Sequence, residues 1–348
     1  MSQDSPKAAR PVRRRISSHT LKVFAVPVLV AVAAAAVGAV SIQSGLSERD
    51  KTHSGGVQKL PLCEVTAKDA LAAVAGEAVT GLAKDLAAFN ADGVPVIVRF
   101  AHEMNGSWYP WSQQPGAYAE AFRRVADAVH ANAPGSAMMW APNYGGGYPF
   151  AGGQYEAKPG TADFAALDTD HDGALTMSDD PYGPYYPGDA AVDWVGMSLY
   201  HWGERYPWGE NELPEQNKFT DQLTGNYVGA NGDDSPLPDF YRVYGQDHGK
   251  PVAIPETAAL YAPGAGGVDE LAVKKAWWEQ LFSPAIPAGY PQLKMINWFE
   301  WDKNETEIKG RVDWTVTDSA EVRDAFTSAL PDWLKYGPDS SCEPPAGS

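Results

Sequence analysis

The sequence predicts an α/β fold of the (β/α)8 barrel type, and three observations lead there. Strand-like apolar runs alternate with helical patterns along the chain, which is how parallel sheets covered by helices are built. Several runs, such as Val94-Pro95-Val96-Ile97-Val98, are apolar at successive positions, as strands buried on both faces require. Every polar or aromatic cluster of interest falls just after a run, and a barrel gathers its functional loops at the C-terminal ends of its strands.

In order, the strand signals are Leu60–Val65, Val94–Phe100, Ala137–Ala141, Val192–Leu199, Pro251–Ile254 and Lys294–Phe299. Helical patterns fill Ala67–Phe89, Gly116–Ala131 and Val268–Phe282. The clusters that follow strands are His102–Trp111, Asn143–Phe150, Tyr200–Trp208, Glu256–Tyr261 and Trp301–Glu305. No unit of 20–50 residues recurs, which excludes a repeat array.

The 348 residues are 44% hydrophobic and 20% charged, with 12 Trp, 16 Tyr and 11 Phe, so a large core is available. The formal charge is −17. Residues 1–50 hold 7 Lys/Arg against 3 Asp/Glu, leaving 20 against 41, or −21, for the remainder. That acidity repels phosphate backbones and anionic lipid. Nucleic acid is excluded as a partner, and a neutral substrate is expected.

Residues 1–22 are basic, with Arg13, Arg14, Arg15 and Lys22, and residues 23–42 carry no charge. This is an n-region followed by an apolar stretch, read either as a membrane anchor or as a cleaved signal. Both readings export the rest of the chain, giving an extracellular, secreted or membrane-anchored domain. Residues 43–59 read as a linker, 60–335 as the globular domain and 336–348 as a tail. Cys63 opens that domain and Cys342 follows it. In an oxidising compartment they are either a disulfide or two unrelated thiols.

Arg99-Phe100-Ala101-His102-Glu103-Met104-Asn105-Gly106 leaves a buried strand and runs into Trp108-Tyr109-Pro110-Trp111. A zincin needs a second His where Gly106 stands, so His102-Glu103 is not a zinc motif. Pro251-Val252-Ala253-Ile254-Pro255-Glu256-Thr257 ends another apolar run on a carboxylate. Two carboxylates facing each other across a barrel mouth suit retaining glycoside hydrolysis, one as nucleophile and one as acid then base. The plainer alternative is that each is a strand-end acid paired with an Arg. Trp108, Trp111, Trp140, Trp202, Trp208, Trp298 and Trp301 lie on or just beyond strand ends, where aromatic faces can stack on sugar rings. There is no Gly-x-Ser-x-Gly elbow, and Gly145-Gly146-Gly147 lacks the Lys and hydroxyl of a phosphate loop.

Arg99 to Trp111, Trp140-Ala141-Pro142-Asn143, Val192-Asp193-Trp194-Val195-Gly196 leading to Tyr200, Ile254-Pro255-Glu256-Thr257 and Trp298 together resemble glycoside hydrolase family 26. The resemblance covers about Leu60 to Lys335. It implies a retaining hydrolase with its carboxylates on strands four and seven, Glu103 as acid/base and Glu256 as nucleophile. It also implies that His102 supports the acid/base, that Tyr200 orients the nucleophile and that Trp298 forms a platform beneath the sugar. Family members act mainly as endo-β-1,4-mannanases, with β-glucanase and β-1,3-xylanase minorities. Substrate contacts are expected from Arg99, His102, Asn105, Trp108, Trp111, Trp140, Asn143, Tyr200, His201, Trp202 and Trp298.

Two departures stand out. Ser198 occupies a position where mannanases of the family commonly carry Asp, which bears on sugar preference. Spacing is the other departure. The end of strand four should lie about 100 residues into a barrel, yet only about 60 separate Ser44 from Glu103. About six of eight strands are therefore expected, the first two being absent. Glu103 and Glu256 are 153 positions apart, against about 94 for three βα units, so an insertion lies between strands five and seven. It contains Asp168-Thr169-Asp170-His171-Asp172-Gly173-Ala174, closing at Asp179. That matches an EF-hand loop, with carboxylates at positions 1, 3, 5 and 12, the Ala174 carbonyl at 7 and the turn Gly at 6.

The expectation is an exported endo-β-glycanase acting on β-1,4-mannan in a plant or fungal cell-wall-type polysaccharide. It needs no catalytic cofactor and carries one structural Ca2+. The alternatives are β-1,3/1,4-glucan cleavage or a non-catalytic carbohydrate-binding protein with an opened barrel.

Overall fold

The computed structural model describes residues 71, 74, 76–204, 206–229 and 237–335. Leu60–Val65, the segments 1–22, 23–42 and 43–59, Cys63 and Cys342 lie outside them. Among the described residues, no helix is long and apolar enough to cross a membrane. Those up to Leu334 belong to one compact unit.

Five parallel strands form its sheet: β1 (Val96–Arg99), β2 (Ser136–Trp140), β3 (Trp194–Gly196), β4 (Val252–Thr257) and β5 (Leu293–Trp298). They lie side by side in chain order and curl as part of a barrel. Each neighbours its predecessor, as in a (β/α)8 barrel. All five correspond to predicted runs. The pairing continues past the named strands through parallel bridges Asn143↔Ser198 and His201↔Ala259, so these loops leave the sheet side by side.

Helix α1 (Glu77–Ala91) buries Val79, Leu82, Ala83 and Leu86, the spacing of one helical face. Gly76 at φ 62° stands before its first turn; of the earlier part of the pattern, which starts at Ala67, residues 67–70, 72, 73 and 75 lie outside the described residues and Leu71 is helical. Helix α2 (Pro115–Asn132) opens with Pro at N1, where a missing N–H costs nothing, and buries Tyr118, Ala121, Phe122, Val125, Ala126 and Val129.

The predicted insertion is shared between two long connections. Between β2 and β3 run α3 (Ala162–Leu167) and the acidic loop; between β3 and β4 run α4 (Lys218–Leu223) and a π-helical stretch at Tyr241–Asp247. Helix α5 (Glu270–Leu281) starts at Asp269, whose carboxylate accepts the Ala272 N–H at 2.8 Å. A helical turn, α6 (Ile286–Gly289), precedes β5, and α7 (Ala320–Ala329) is capped by Ser319.

A hairpin absent from the sequence prediction, β6 (Asp302–Glu305) with β7 (Gly310–Asp313), follows β5. It is fastened to α5 by Lys274, which is fully buried. The ammonium donates to Glu270 at 2.6 Å, Asp313 at 3.4 Å and the Thr315 carbonyl at 2.5 Å.

Candidate active site

Arg99 is the last residue of β1, and its guanidinium is buried beside the end of the sheet. It donates through Nη1 to Glu256 Oε1, and through Nη2 to Ser198 Oγ at 2.6 Å. The chain then turns sharply, with Ala101 at φ 43° and Glu103 at φ 55°. Left-handed backbone is unfavourable for both side chains. It is held by the Glu103 N–H on the Ala141 carbonyl at 2.9 Å and the Gly106 N–H on the Glu103 carbonyl at 3.0 Å. The Glu103 carboxyl accepts the Trp108 indole N–H at 3.1 Å.

Glu256 reaches the same place from β4. Pro255 has no N–H to give to the ladder, and the β4–β5 register shifts between Ile254 and Thr257 as a bulge would require. The Glu256 carbonyl accepts from the Leu199 N–H at 3.0 Å. Its Oε2 accepts the Tyr200 hydroxyl at 2.8 Å, and its side chain keeps 23% exposure.

The two carboxyls are driven apart in proton affinity. Burial lifts Glu103 to about 7, with the Glu256 charge adding to the effect and Arg99, Ser198 and Trp108 opposing it. Burial would lift Glu256 as well, but Arg99 and the hydrogen bonds from Tyr200 and Arg99 outweigh it and hold that carboxyl at about 2. A protonated acid beside an ionised one is the division of labour that glycoside hydrolysis needs. Burial, reinforced by Arg99, lowers His102 to about 3, so its imidazole is neutral at physiological pH.

Aromatic rings flank both acids. On the Glu103 side, Tyr109 stacks on Trp111 at 4.6 Å and meets His102 edge-on at 5.1 Å, while Trp108, 40% exposed, touches Phe150. The Trp111 indole donates to the His102 carbonyl at 2.8 Å. On the Glu256 side, Tyr200 packs against Trp314 at 5.2 Å and Phe299 at 5.8 Å; Trp202 lies 4.9 Å from Trp314 and 5.1 Å from Trp208.

Of the predicted substrate contacts, the structure brings Arg99, His102, Trp108, Trp111, Tyr200 and Trp202 around the acids. Others it places elsewhere. Trp140 is fully buried and stacks on Phe240, with Tyr244 at 4.7 Å; it is core. His201 is buried against Trp277, its Nε2 on the Glu212 carbonyl at 2.8 Å. Asn105 is fully buried and spends its amide on the Asn143 backbone, accepting and donating at 2.8 Å. That contact ties the loop after β1 to the loop after β2, and Asn143 turns its own side-chain amide to the Tyr144 carbonyl. Trp298, by contrast, ends β5 half-buried in the same aromatic cluster as Tyr200 and Trp202; it lies against Trp278 and Phe326 of α5 and α7 and donates to the Trp314 carbonyl at 2.8 Å. Ser198 has no exposed surface, so it bears on sugar preference through no direct contact.

Sequence reasoning missed Tyr109, Trp314 and Glu305. The Glu305 carboxylate accepts the Trp314 indole N–H at 2.7 Å, which fixes the ring that backs Tyr200. Tyr109 and Glu305 fall inside the strand-following clusters His102–Trp111 and Trp301–Glu305 without a predicted role, whereas Trp314 follows the β6–β7 hairpin, where no apolar run announces a strand end.

In the acidic loop, Asp168, Asp170 and Asp172 bring carboxylate oxygens within 4.8 Å of one another. Gly173 takes φ 89°, as the turn position of such a loop should. Asp179 is buried, and its oxygens accept from the backbone N–H groups of Thr169, Asp170 and Thr176. Three carboxylates are thus close enough to share a cation, whereas the expected fourth ligand, Asp179, is turned onto the backbone N–H groups of its own loop.

A parallel sheet in barrel order with an acid pair at the C-terminal ends of β1 and β4 is the arrangement of barrel glycosidases. Residues 56–155 match the family model for glycosyl hydrolase family 26, so the resemblance seen in the sequence holds over the segment carrying Arg99, Glu103 and Trp140. The chain is 24% identical over 261 residues to Endoglucanase H of Acetivibrio thermocellus, covering 72% of this chain and 21% of that protein. Among solved structures it is similar to a modular endo-β-1,4-mannanase from Cellulomonas fimi (19% identity, 77% of this chain and 50% of that one, TM-score 0.46). It is also similar to a family 26 β-mannanase from Bacteroides ovatus (18% identity, 76% and 62%, TM-score 0.41). The chain therefore spans about a fifth of the length of the curated relative it matches and half of the Cellulomonas structure.

Proposed function

We propose that the chain is a retaining endo-β-glycanase that cleaves β-1,4-mannan-type polysaccharide by double displacement. The observation that supports it is the pair of carboxyls at one end of the sheet, Glu256 held by Arg99 and Tyr200 and Glu103 by Trp108, with burial raising the proton affinity of Glu103 and Arg99 lowering that of Glu256. Glu256 attacks the anomeric carbon and forms the glycosyl-enzyme ester while Glu103 gives its proton to the departing glycosidic oxygen. Water then enters, Glu103 takes a proton from it, and the ester is hydrolysed. Arg99 and Tyr200 keep Glu256 ionised and aimed; Trp108 and Trp202 offer partly exposed faces for sugar rings. The Acetivibrio relative is named an endoglucanase, which favours a second reading, cleavage of a glucan, with β-1,3/1,4-glucan as the alternative expected from the sequence.

The reading includes export directed by residues 1–42 and one structural Ca2+ held by Asp168, Asp170, Asp172 and the Ala174 carbonyl. The ion takes no part in the chemistry, which two carboxylates perform alone. Assaying release of reducing sugar by the full chain on mannan, lichenan and β-1,3-xylan tests the function. Turnover of mannan that disappears in Glu256→Ala supports it, and turnover of lichenan alone moves the assignment to the second reading. Binding of these glycans without turnover identifies a carbohydrate-binding protein instead.

A further inference from the structure

We propose that the loop after β3 carries an outer sugar site, a hollow beside Tyr206 and Trp208 that holds a neutral hexose ring of the same polysaccharide away from the bond being cleaved. This rests on the reading of Glu103 and Glu256 as a glycan-cleaving pair.

A series of aromatic rings runs from the candidate nucleophile to this hollow. Tyr200, whose hydroxyl meets Glu256 at 2.8 Å, lies 6.4 Å from Trp202. Trp202 lies 5.1 Å from Trp208, and Trp208 meets Tyr206 edge-on at 5.1 Å. The first three rings are half-buried, and Tyr206 at the outer end is 64% exposed. A single exposed ring needs no explanation. This one ends a continuous series that starts at the acid pair.

The chemistry of the hollow suits a sugar. Tyr206, Pro207, Trp208, Gly209, Glu210 and Glu212 line a volume of about 210 Å3. That is short of the roughly 300 Å3 at which pockets take a drug-sized molecule, so one ring enters and the rest of the chain lies outside. Aromatic faces stack on the C–H face of a sugar, while carboxylates accept from its hydroxyls. Glu212 Oε2 accepts the Glu204 N–H at 2.7 Å, and its other oxygen makes no hydrogen bond among the described residues. Two carboxylates also repel an acidic sugar, which restricts the occupant to a neutral one.

The loop is held before any ligand arrives. Asn211 is buried and bonded through every polar group it has. Its N–H donates to the Gly266 carbonyl at 2.9 Å and its carbonyl accepts the Val268 N–H at 2.8 Å. Its side chain donates to the Ala262 carbonyl at 3.2 Å and accepts the Ala262 N–H at 2.7 Å. His201 fixes the Glu212 carbonyl at 2.8 Å, and the buried Lys218 ammonium donates to the Gly203 carbonyl at 2.8 Å. His201 thus lies outside the cleft and still positions the platform. A loop so fixed loses little freedom when a sugar settles on it, which favours binding.

The test uses the full chain carrying Glu256→Ala, which binds glycan without turnover. Titration calorimetry follows manno- and cello-oligosaccharides from the disaccharide to the hexasaccharide. Affinity should climb with length until a ring reaches the hollow. Adding Tyr206→Ala should remove that last gain, a loss of about five- to tenfold for the longer ligands, and leave disaccharide binding as it was. Tyr206→Phe, which keeps the ring, should retain the gain. Since Tyr206 stands in solvent, an unchanged melting temperature confirms that the variants are folded.

Equal affinities at every length with and without the Tyr206 ring overturn the proposal, and so does a uniform loss at all lengths. A wild type that cleaves no glycan, with the length-dependent gain intact, ends the catalytic reading and leaves the outer site standing. Cleavage by the wild type without any effect of Tyr206→Ala on the longer ligands removes the outer site alone. Absence of binding by every ligand, with no cleavage, removes both.

Discussion

Tyr200 donates its hydroxyl proton to Glu256 Oε2 at 2.8 Å, while its ring rests on Trp314 at 5.2 Å. The phenol therefore meets the candidate nucleophile from a fixed direction. Tyr200→Phe keeps the ring packing and deletes one hydrogen bond to a charged group, a change worth about 10- to 100-fold in turnover. The acid limb of the pH profile should also move upward, because one of the contacts that depress Glu256 is lost. Stopped-flow or steady-state kinetics from pH 3 to 9 checks both; an unchanged acid limb would separate Tyr200 from the nucleophile.

The pH profile of the wild type should be bell-shaped, with its basic limb set by Glu103 near 7 and its acid limb far lower. Glu103→Ala should abolish hydrolysis of polysaccharide yet still form the glycosyl-enzyme from an aryl glycoside, whose leaving group needs no proton. Glu256→Ala should do neither. Mass spectrometry of the trapped intermediate distinguishes them, and equal behaviour of the two variants would remove the assigned roles.

Stability should report the same burial. The folded pKa of Glu103 stands at about 7, above its ordinary 4.5. The folded state therefore holds this proton more tightly than the unfolded chain, and stability falls as pH rises from 4.5 through 7. Glu103→Gln removes the buried charge and should raise the melting temperature more at pH 8 than at pH 5, by the equivalent of about 2 kcal/mol. Calorimetry at the two pH values measures this directly; an equal gain at both would contradict it.

Calcium should raise the melting temperature if it binds the folded loop alone. Asp168→Asn with Asp172→Asn should cancel that response while leaving the pH profile of turnover unaltered. If neither calcium nor chelator shifts the melting temperature and titration calorimetry registers no heat, the loop is a solvated acidic turn.

Trp140→Ala should cost about 3–5 kcal/mol, the usual loss for a large core aromatic. Urea denaturation quantifies it. A variant of unchanged stability but raised KM would return Trp140 to the cleft.

Parity explains much of what the sequence concealed. A strand end announces itself by its apolar run, so Arg99, Glu103 and Glu256 were legible from position alone. Which side a residue takes depends on a two-residue alternation. Tyr200 and Trp202 stand on the cleft side, and His201 between them faces Trp277. Trp140 shares its strand with Met139, yet packs under Phe240, a residue from a distant π-helical region that no local pattern connects to it. The β6–β7 hairpin reads Asp302-Lys303-Asn304-Glu305 and Gly310-Arg311-Val312-Asp313, almost without apolar alternation. Its one buried apolar residue, Val312, packs with Trp314 against Leu260 and Ala262, while the largely exposed Arg311–Asp302 pair at 2.8 Å adds little.

The ammonium of Lys274 has a mechanical consequence for whatever enters beside Tyr200. Lifting the β6–β7 hairpin away from α5 would strip a charge with no solvent access of the Asp313 carboxylate and the Thr315 carbonyl together, leaving it only Glu270 of its own helix, and breaking a buried charge pair is costly. Hairpin and helix therefore travel as one body. The wall that carries Trp314 is thereby pinned to α5 and does not hang as a gate.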